Sequence, residues 1–191
     1  MSSSQTHQLN REHALVELVD AVGHTIGQDT VATAHQAPGI LHRAFSVMLF
    51  NNQERVLLQQ RALTKKRFAG QWGPSCCGHP SSFENMEADA TRRVDEELGL
   101  RVTGLQVIGH CQYFITSDGN QVEREYDHVL IGRCDATPHP DPGEVCAVQW
   151  VNPVDLEADI RANDGTYGEW LPPVLSVLFS WQKQQQRRQT V

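Results

Sequence analysis

The stretch GHPSSFENMEADATRRVDEELGL, Gly78 to Leu100, decides the fold. Gly78 is followed six residues on by Glu84, and eight residues later comes Arg92, then Val94, the pair Glu96-Glu97, Gly99 and Leu100. From Glu84 to Leu98 the pattern is helical. Met86, Ala90, Val94 and Leu98 recur every four residues, which sets them on one face and turns that face to a core. Arg93 and Glu97, also four apart, are neighbours on another face. Immediately upstream, PSCCGHP (Pro74 to Pro80) sets Cys77 and His79 on either side of Gly78.

The spacing of Gly78, Glu84, Arg92, Glu96 and Glu97 resembles the Nudix signature, a loop–helix–loop that holds a divalent metal beside a diphosphate. One position departs: Arg93 stands where the signature has a glutamate directly after its arginine. Nudix hydrolases use clustered carboxylates to hold metal and activate a water. The change removes one carboxylate and adds a planar donor suited to phosphate oxygens, so the same loop and helix can bind a diphosphate without cutting it. Cys77 and His79 lie outside the general Nudix box. Together these features resemble the type 1 isopentenyl diphosphate isomerases, whose Cys-Gly-His-Pro turn runs into an Arg-substituted Nudix helix. The resemblance spans about residues 12–182 and implies an α+β fold, a Nudix-type α/β/α sandwich with a mixed sheet.

Working outward, residues 14–22 (ALVELVDAV) read as a first strand, with turns at Gly23 and Gly27. Residues 41–50 and 55–60 are apolar runs around Asn51-Asn52-Gln53, a hairpin signal. Residues 61–75, with the basic run RALTKKR, read as a functional loop. Beyond the helix, 105–116 and 122–133 are strands around a turn at 117–120 containing Asp118-Gly119, and 145–151 is another strand. Pro153 opens a helix, and 169–182 form the last one. Residues 1–10 read as a disordered extension, 11–182 as one domain and 183–191 as a polar tail. A chain of 191 residues suits one domain with a sizeable core. No apolar run approaches the ~18 residues that span a bilayer, and the N-terminus lacks the charged start and apolar stretch of a signal peptide. A cytoplasmic protein with its five cysteines reduced is expected. The net charge of −7 argues against nucleic acid as a partner, so an anionic substrate needs the local basic patch at Arg61 to Arg67.

Taken alone, His35, His42 and His79 are compatible with ordinary surface or core positions. Pro38 and Gly39 keep His35 and His42 off a common helix. On a strand, Glu123, Glu125, Asp127, Val129 and Ile131 share one face. Either the carboxylates turn inward with the apolar residues and need a partner such as a metal, or they end the strand in solvent. The resemblance implies that His35, His42, His79, Glu123 and Glu125 bind one divalent metal, and such mixed ligation suits Mn, Zn or Fe. Cysteines are by default inert and buried, but a metal and basic neighbours would lower the pKa of Cys77.

The resemblance further implies an isomerase of isoprenoid biosynthesis, in which Cys77 and Glu125 move a double bond through a tertiary carbocation. Tyr113 would assist, and Trp170 would stabilise the cation; plain packing is the alternative for both. Arg61, Lys65 and Arg93 would bind the diphosphate, helped by Lys66 and Arg67. Glu97 and the carbonyl of Cys77 would hold a Mg²⁺ that arrives with it. A solvated loop and an Arg93–Glu97 ion pair are the plainer readings. The family's lysine four residues before its first histidine ligand is Val31 here. A small diphosphate is thus the expected partner, for a monomer or weak homodimer. Two alternatives remain: a Nudix hydrolase of a nucleoside diphosphate derivative, holding metal on Glu84, Glu96 and Glu97, and a catalytically silent diphosphate-binding module.

Overall fold

The computed structural model describes residues 11–117, 120–163 and 165–189. The expected disorder of residues 1–10 and the Asp118-Gly119 turn fall outside these. In chain order come β1 (Leu15–Val19), β2 (Thr25–Thr30), α1 (Val31–Ala34), β3 (His42–Phe50), β4 (Val56–Arg61), β5 (Trp72–Gly73) and β6 (Cys76–Gly78). Then follow α2 (Met86–Leu98), β7 (Gln106–Ser117), β8 (Gln121–Arg133), β9 (Val145–Val151), α3 (Pro153–Ala162) and α4 (Leu171–Gln189).

The sheet is mixed and β3 is its centre. Its sequence, HRAFSVMLF, is buried at every position, as a strand covered on both faces must be. On one side β3 runs parallel to β8, from His42↔Glu125 to Phe50↔Arg133. On the other it meets β1 at Leu18↔His42, β6 at Ser46↔Cys77 and β4 at Phe50↔Val56. Alternation then sorts the side chains. Phe45, Val47 and Leu49 pack with Ala90, Val94 and Leu98 of α2. Met48 and Phe50 pack with Leu171, Val174 and Leu178 of α4. A helix layer on each face makes the expected α/β/α sandwich. Each such fully buried aliphatic side chain contributes about 1.5–3 kcal/mol.

The core face of α2 is the one its spacing predicts: Met86, Ala90, Val94 and Leu98 are 3, 0, 0 and 0% exposed. Gly99 ends the helix at φ 62°, a left-handed position that glycine adopts without strain. The helix starts at Met86 rather than Glu84, because Asn85 and Met86 close turns onto Ser82 and Phe83. Three further differences have local causes. Gly27 lies within β2 and not in a turn. That edge strand, TIGQDT, carries no buried position, so no apolar alternation marks it. The short α1 is set by Thr30, whose Oγ1 accepts from the Thr33 amide at 3.2 Å. Finally, α4 continues to Gln189, since glutamine and arginine favour helix and Arg187 and Arg188 suit its C-terminal dipole. Among the described residues no helix is long and apolar enough to cross a membrane.

Candidate active site

Four elements bring three histidines and one carboxylate together. His42 opens β3, Glu125 lies across from it on β8, His79 follows β6, and His35 caps α1. His35 Nδ1 donates to the Val31 carbonyl at 2.8 Å, and His42 Nδ1 to the Ile40 carbonyl at 2.7 Å. Those bonds fix the rings and leave both Nε2 atoms facing inward. There, Glu125 Oε1 is 3.1 Å from His79 Nε2, 3.5 Å from His42 Nε2 and 3.6 Å from His35 Nε2. His42 Nε2 and His79 Nε2 are themselves 3.2 Å apart. The ligand atoms of His35, His42, His79 and Glu125 all lie within 4.8 Å of one another.

Such a buried ring of nitrogens around a carboxylate oxygen fits a divalent cation, because protons alone cannot satisfy it. The protonation states also fit. Burial pushes His79 down to about 4, so it is neutral. Burial opposes ionisation of Glu125, but hydrogen bonds from the three histidines outweigh it and hold the carboxyl well below its usual range. Burial also lowers His35, but the Glu123 charge and bonds to Glu123 and Glu125 carry it up to about 9, so a metal would displace its proton. Glu123 stands beside the converging group: its Oε2 accepts from His35 Nε2 at 2.8 Å, and its Oε1 is 3.4 Å from Arg67 Nε.

The second oxygen of Glu125 accepts from the Tyr113 hydroxyl at 2.5 Å. Tyr113 lies directly opposite Glu125 in the β7–β8 register. The same hydroxyl is 3.2 Å from Asp127 Oδ2, which accepts from Ser46 Oγ at 2.7 Å. Ser46 Oγ in turn is 3.4 Å from Cys77 Sγ. Cys77 and Glu125 therefore sit on the two strands that flank β3, joined by side-chain contacts through Ser46, Asp127 and Tyr113. Burial and then the Asp127 charge push the Cys77 thiol up. This reverses the expected lowering and keeps the thiol protonated. Burial and Glu125 likewise push Asp127 well up, towards a neutral acid. Sequence reasoning did not single out Ser46 or Asp127, although Asp127 follows Glu125 on the same strand face. Cys76 points the other way, into the core against α2.

A pocket of about 870 Å³ opens over these groups and runs to the basic loop and the end of α2. Arg61, Lys65, Arg93, Glu97 and Trp170 line it. Arg93 donates to Glu96 at 2.7 Å and to Glu97, so the ion pair of the plainer reading forms, at the pocket wall. Gln59 Nε2 donates to Glu97 Oε2 at 3.0 Å. Lys65 donates to Glu144, a residue of the β8–β9 connection that carries no periodic signal. Lys66 is more exposed and pairs with Glu12. Glu84 is exposed and does not line the pocket. Trp170 is 5% exposed, with the Phe68 ring T-shaped to it at 5.0 Å between centroids and the Arg61 guanidinium 5.7 Å over its ring. Gly168 makes room for it: a Cβ there would fall 2.3 Å from the indole.

This fold and loop–helix–loop define a Nudix domain, and the NUDIX domain family model matches residues 40–171. Two solved structures share the fold. A Deinococcus radiodurans protein, DR0079, has TM-score 0.65 at 22% identity, covering 84% of this chain and 97% of that one. The MutT protein of Methanosarcina mazei has TM-score 0.59 at 16% identity, covering 76% and 95%. Sequence likeness is more specific. The isopentenyl-diphosphate Delta-isomerase of Nocardia farcinica is 49% identical over 163 residues, 85% of this chain and 93% of the relative. That of Streptomyces coelicolor is 44% identical, covering 86% and 83%. Isopentenyl-diphosphate Delta-isomerase 2 of Photorhabdus laumondii is 41% identical, covering 86% and 92%. The chain belongs to the Nudix superfamily and, within it, to the isopentenyl-diphosphate Delta-isomerase family.

Proposed function

We propose that the chain interconverts isopentenyl diphosphate and dimethylallyl diphosphate. The observation that carries this reading is the placement of Cys77 and Glu125 on the strands flanking β3, at one pocket that also holds Arg61, Lys65 and Arg93; burial favours the thiol at Cys77, and hydrogen bonds from the histidines favour the carboxylate at Glu125. Isomerisation needs one group to give a proton and another to take one. In the forward direction Cys77 Sγ–H protonates the terminal methylene carbon, which becomes a methyl and leaves the positive charge on the adjacent tertiary carbon. Glu125 then removes a proton from the carbon next to the oxygen-bearing one, and the double bond forms between that carbon and the cationic centre. Tyr113 steadies Glu125 by its hydrogen bond. Trp170 offers an aromatic wall to the cation, worth about 2 kcal/mol when desolvated.

His35, His42, His79 and Glu125, with Glu123 alongside, would hold a divalent ion (Mn, Zn or Fe), which would supply fixed positive charge beside Glu125. Glu97 and the Cys77 carbonyl would hold a Mg²⁺ arriving with the substrate, which would offset diphosphate charge. Arg61, Lys65 and Arg93 grip the remaining oxygens. The reading extends to a cytoplasmic enzyme of isoprenoid biosynthesis, acting as a monomer or weak homodimer. To test it, incubate the protein with isopentenyl diphosphate and both metals in D₂O. Dimethylallyl diphosphate with deuterium in a methyl group is expected. No product would remove the reading, and phosphate release from nucleoside diphosphates would restore the hydrolase alternative.

A further inference from the structure

We propose that Arg11 is a further substrate-binding residue, whose guanidinium takes a diphosphate oxygen alongside Lys65 and Arg93. The inference rests on the diphosphate reading of the pocket. No motif surrounds Arg11 in the sequence, and its part appears only in space. Arg11 Nη1 donates to Glu144 Oε2 at 2.6 Å. The same oxygen accepts from Lys65 Nζ and lies 3.7 Å from Arg93 Nη2. Arg11 Nη2 is also 3.6 Å from Glu96 Oε2, which accepts from Arg93 Nη1 at 2.7 Å. Arg11 thus shares one carboxylate with Lys65 and two with Arg93, and all three cations line the pocket.

Two backbone bonds hold it there. The Ala14 amide donates to the Arg11 carbonyl at 3.1 Å, and the Val31 amide donates to the Ala14 carbonyl at 2.9 Å. The N-terminal segment is therefore tied to the first residue of α1, beside the apolar wall that Val31 presents. Its next residue, Glu12, is fastened separately, accepting from Arg67 at 2.8 Å and Lys66 at 3.1 Å. The backbone at Arg11 is anchored while its side chain, 30% exposed, is free to change partners.

The chemistry favours such an exchange. Arg11 and Lys65 both donate to one oxygen of Glu144 and fill its lone pairs, while Arg93 stands 3.7 Å from that oxygen without bonding to it. A diphosphate brings several acceptor oxygens and more negative charge, and a guanidinium suits them in paired geometry. When the diphosphate enters, Arg11 turns from Glu144 to the ligand, and Lys65 reaches the ligand with a second ammonium hydrogen while its first stays on Glu144.

The probe is inorganic pyrophosphate with Mg²⁺, titrated calorimetrically into the wild type, Arg11→Ala and Arg11→Lys. Steady-state kinetics with isopentenyl diphosphate run beside it. Losing one charge-assisted contact should raise the pyrophosphate Kd and the KM of Arg11→Ala about 10-fold. The contact lies away from the reacting carbons, so kcat should stay within about twofold. Arg11→Lys should recover part of the loss. A measurement on the unaltered protein stands apart from folding: pyrophosphate should slow phenylglyoxal modification of Arg11, read by mass spectrometry. Wild-type Kd and KM in Arg11→Ala, or no protection of Arg11, would overturn the assignment and leave it a strut for Glu144. Weakened pyrophosphate binding in Arg11→Ala, from a wild type that forms no dimethylallyl diphosphate, would sink the isomerase reading while the Arg11 contact stood.

Discussion

Arg93→Ala removes the guanidinium that touches Glu96 and Glu97 and approaches Glu144 at 3.7 Å. The cost is unequally shared. Glu96 is 39% exposed and keeps Arg92, so water replaces what it loses. Glu144 keeps Lys65 and Arg11. Glu97 is 5% exposed and keeps the neutral Gln59 amide at 3.0 Å, with the Lys65 charge nearby but hydrogen-bonded to Glu144. A buried charge stripped of its partner costs about 3–5 kcal/mol. At about 2–4 °C per kcal/mol for a domain of this size, the melting midpoint should fall roughly 6–20 °C. A double-mutant cycle isolates the cause. Glu97→Gln alone should cost less, because Arg93 keeps Glu96 and lies near Glu144. The double variant should be more stable than Arg93→Ala, with a coupling of about 2 kcal/mol. Urea unfolding followed by circular dichroism measures all four proteins. A fall under about 2 °C, or additive losses, would refute the claim that Arg93 neutralises Glu97.

Chelation should abolish isomerisation and readded Mn²⁺ or Zn²⁺ restore it, while His79→Ala should lose the tightly held metal by elemental analysis; full occupancy in that variant would count against the ligand set. Cys77→Ala and Glu125→Gln should each remove most turnover and Cys76→Ala little, since Cys76 faces the α2 core; an essential Cys76 would place the acid on the wrong residue. Burial, then the charges of Arg43 and His110, hold His128 down at about 4 from 6.5. The unfolded chain therefore takes up that proton first, so stability is full above 6.5 and falls as pH drops towards 4, by about 3 kcal/mol in all. His128→Gln should flatten that acid limb in urea titrations, and an unchanged slope would exclude His128 as its source. Val31→Lys should lower KM several-fold in the Arg11→Ala background and little in the wild type; equal effects in both would separate the two positions.

Much of the site was legible through the resemblance that the Cys-Gly-His-Pro turn and the Arg-substituted helix carry, while periodicity placed the elements that hold it. The four-residue repeat of Met86, Ala90, Val94 and Leu98 set the helix. The two-residue repeat from Glu123 to Ile131 left two orientations open, and burial of Val129 and Asp127 at 0% decides for the inward one. The Cys77 register followed from Gly78 and His79. What stayed hidden has no periodicity. Arg11 reaches the pocket from the chain's first described residue, and Glu144, in a connection, pairs with two of its lining cations; only tertiary contact reveals either. Ser46 lay unnoticed inside an apolar run, because a small hydroxyl in a buried strand reads as filler until its partners, Asp127 and Cys77, are seen. β2 escaped because an exposed edge strand buries no alternate residues. The pKa of Cys77 was expected to fall beside cations, but a thiol so near Asp127 and so deeply buried is pushed up.

The arrangement also explains why the hydrolase alternative is the weaker one. Its metal would need Glu84, Glu96 and Glu97 to converge. Glu84 precedes α2 in an exposed turn, away from the pocket. Glu96 and Glu97 are instead bound by Arg92 and Arg93, so the centre of the would-be cluster already holds a cation. The converging metal-ligand atoms lie elsewhere, on His42 of β3, Glu125 of β8, His35 after α1 and His79 after β6. Arg93 puts a cation at the pocket wall where the signature has a carboxylate. On the opposite face of β3 stand Glu125, across from His42, and Cys77, across from Ser46, the pair that the proposed reading uses for proton transfer and that the hydrolase alternative leaves without a role.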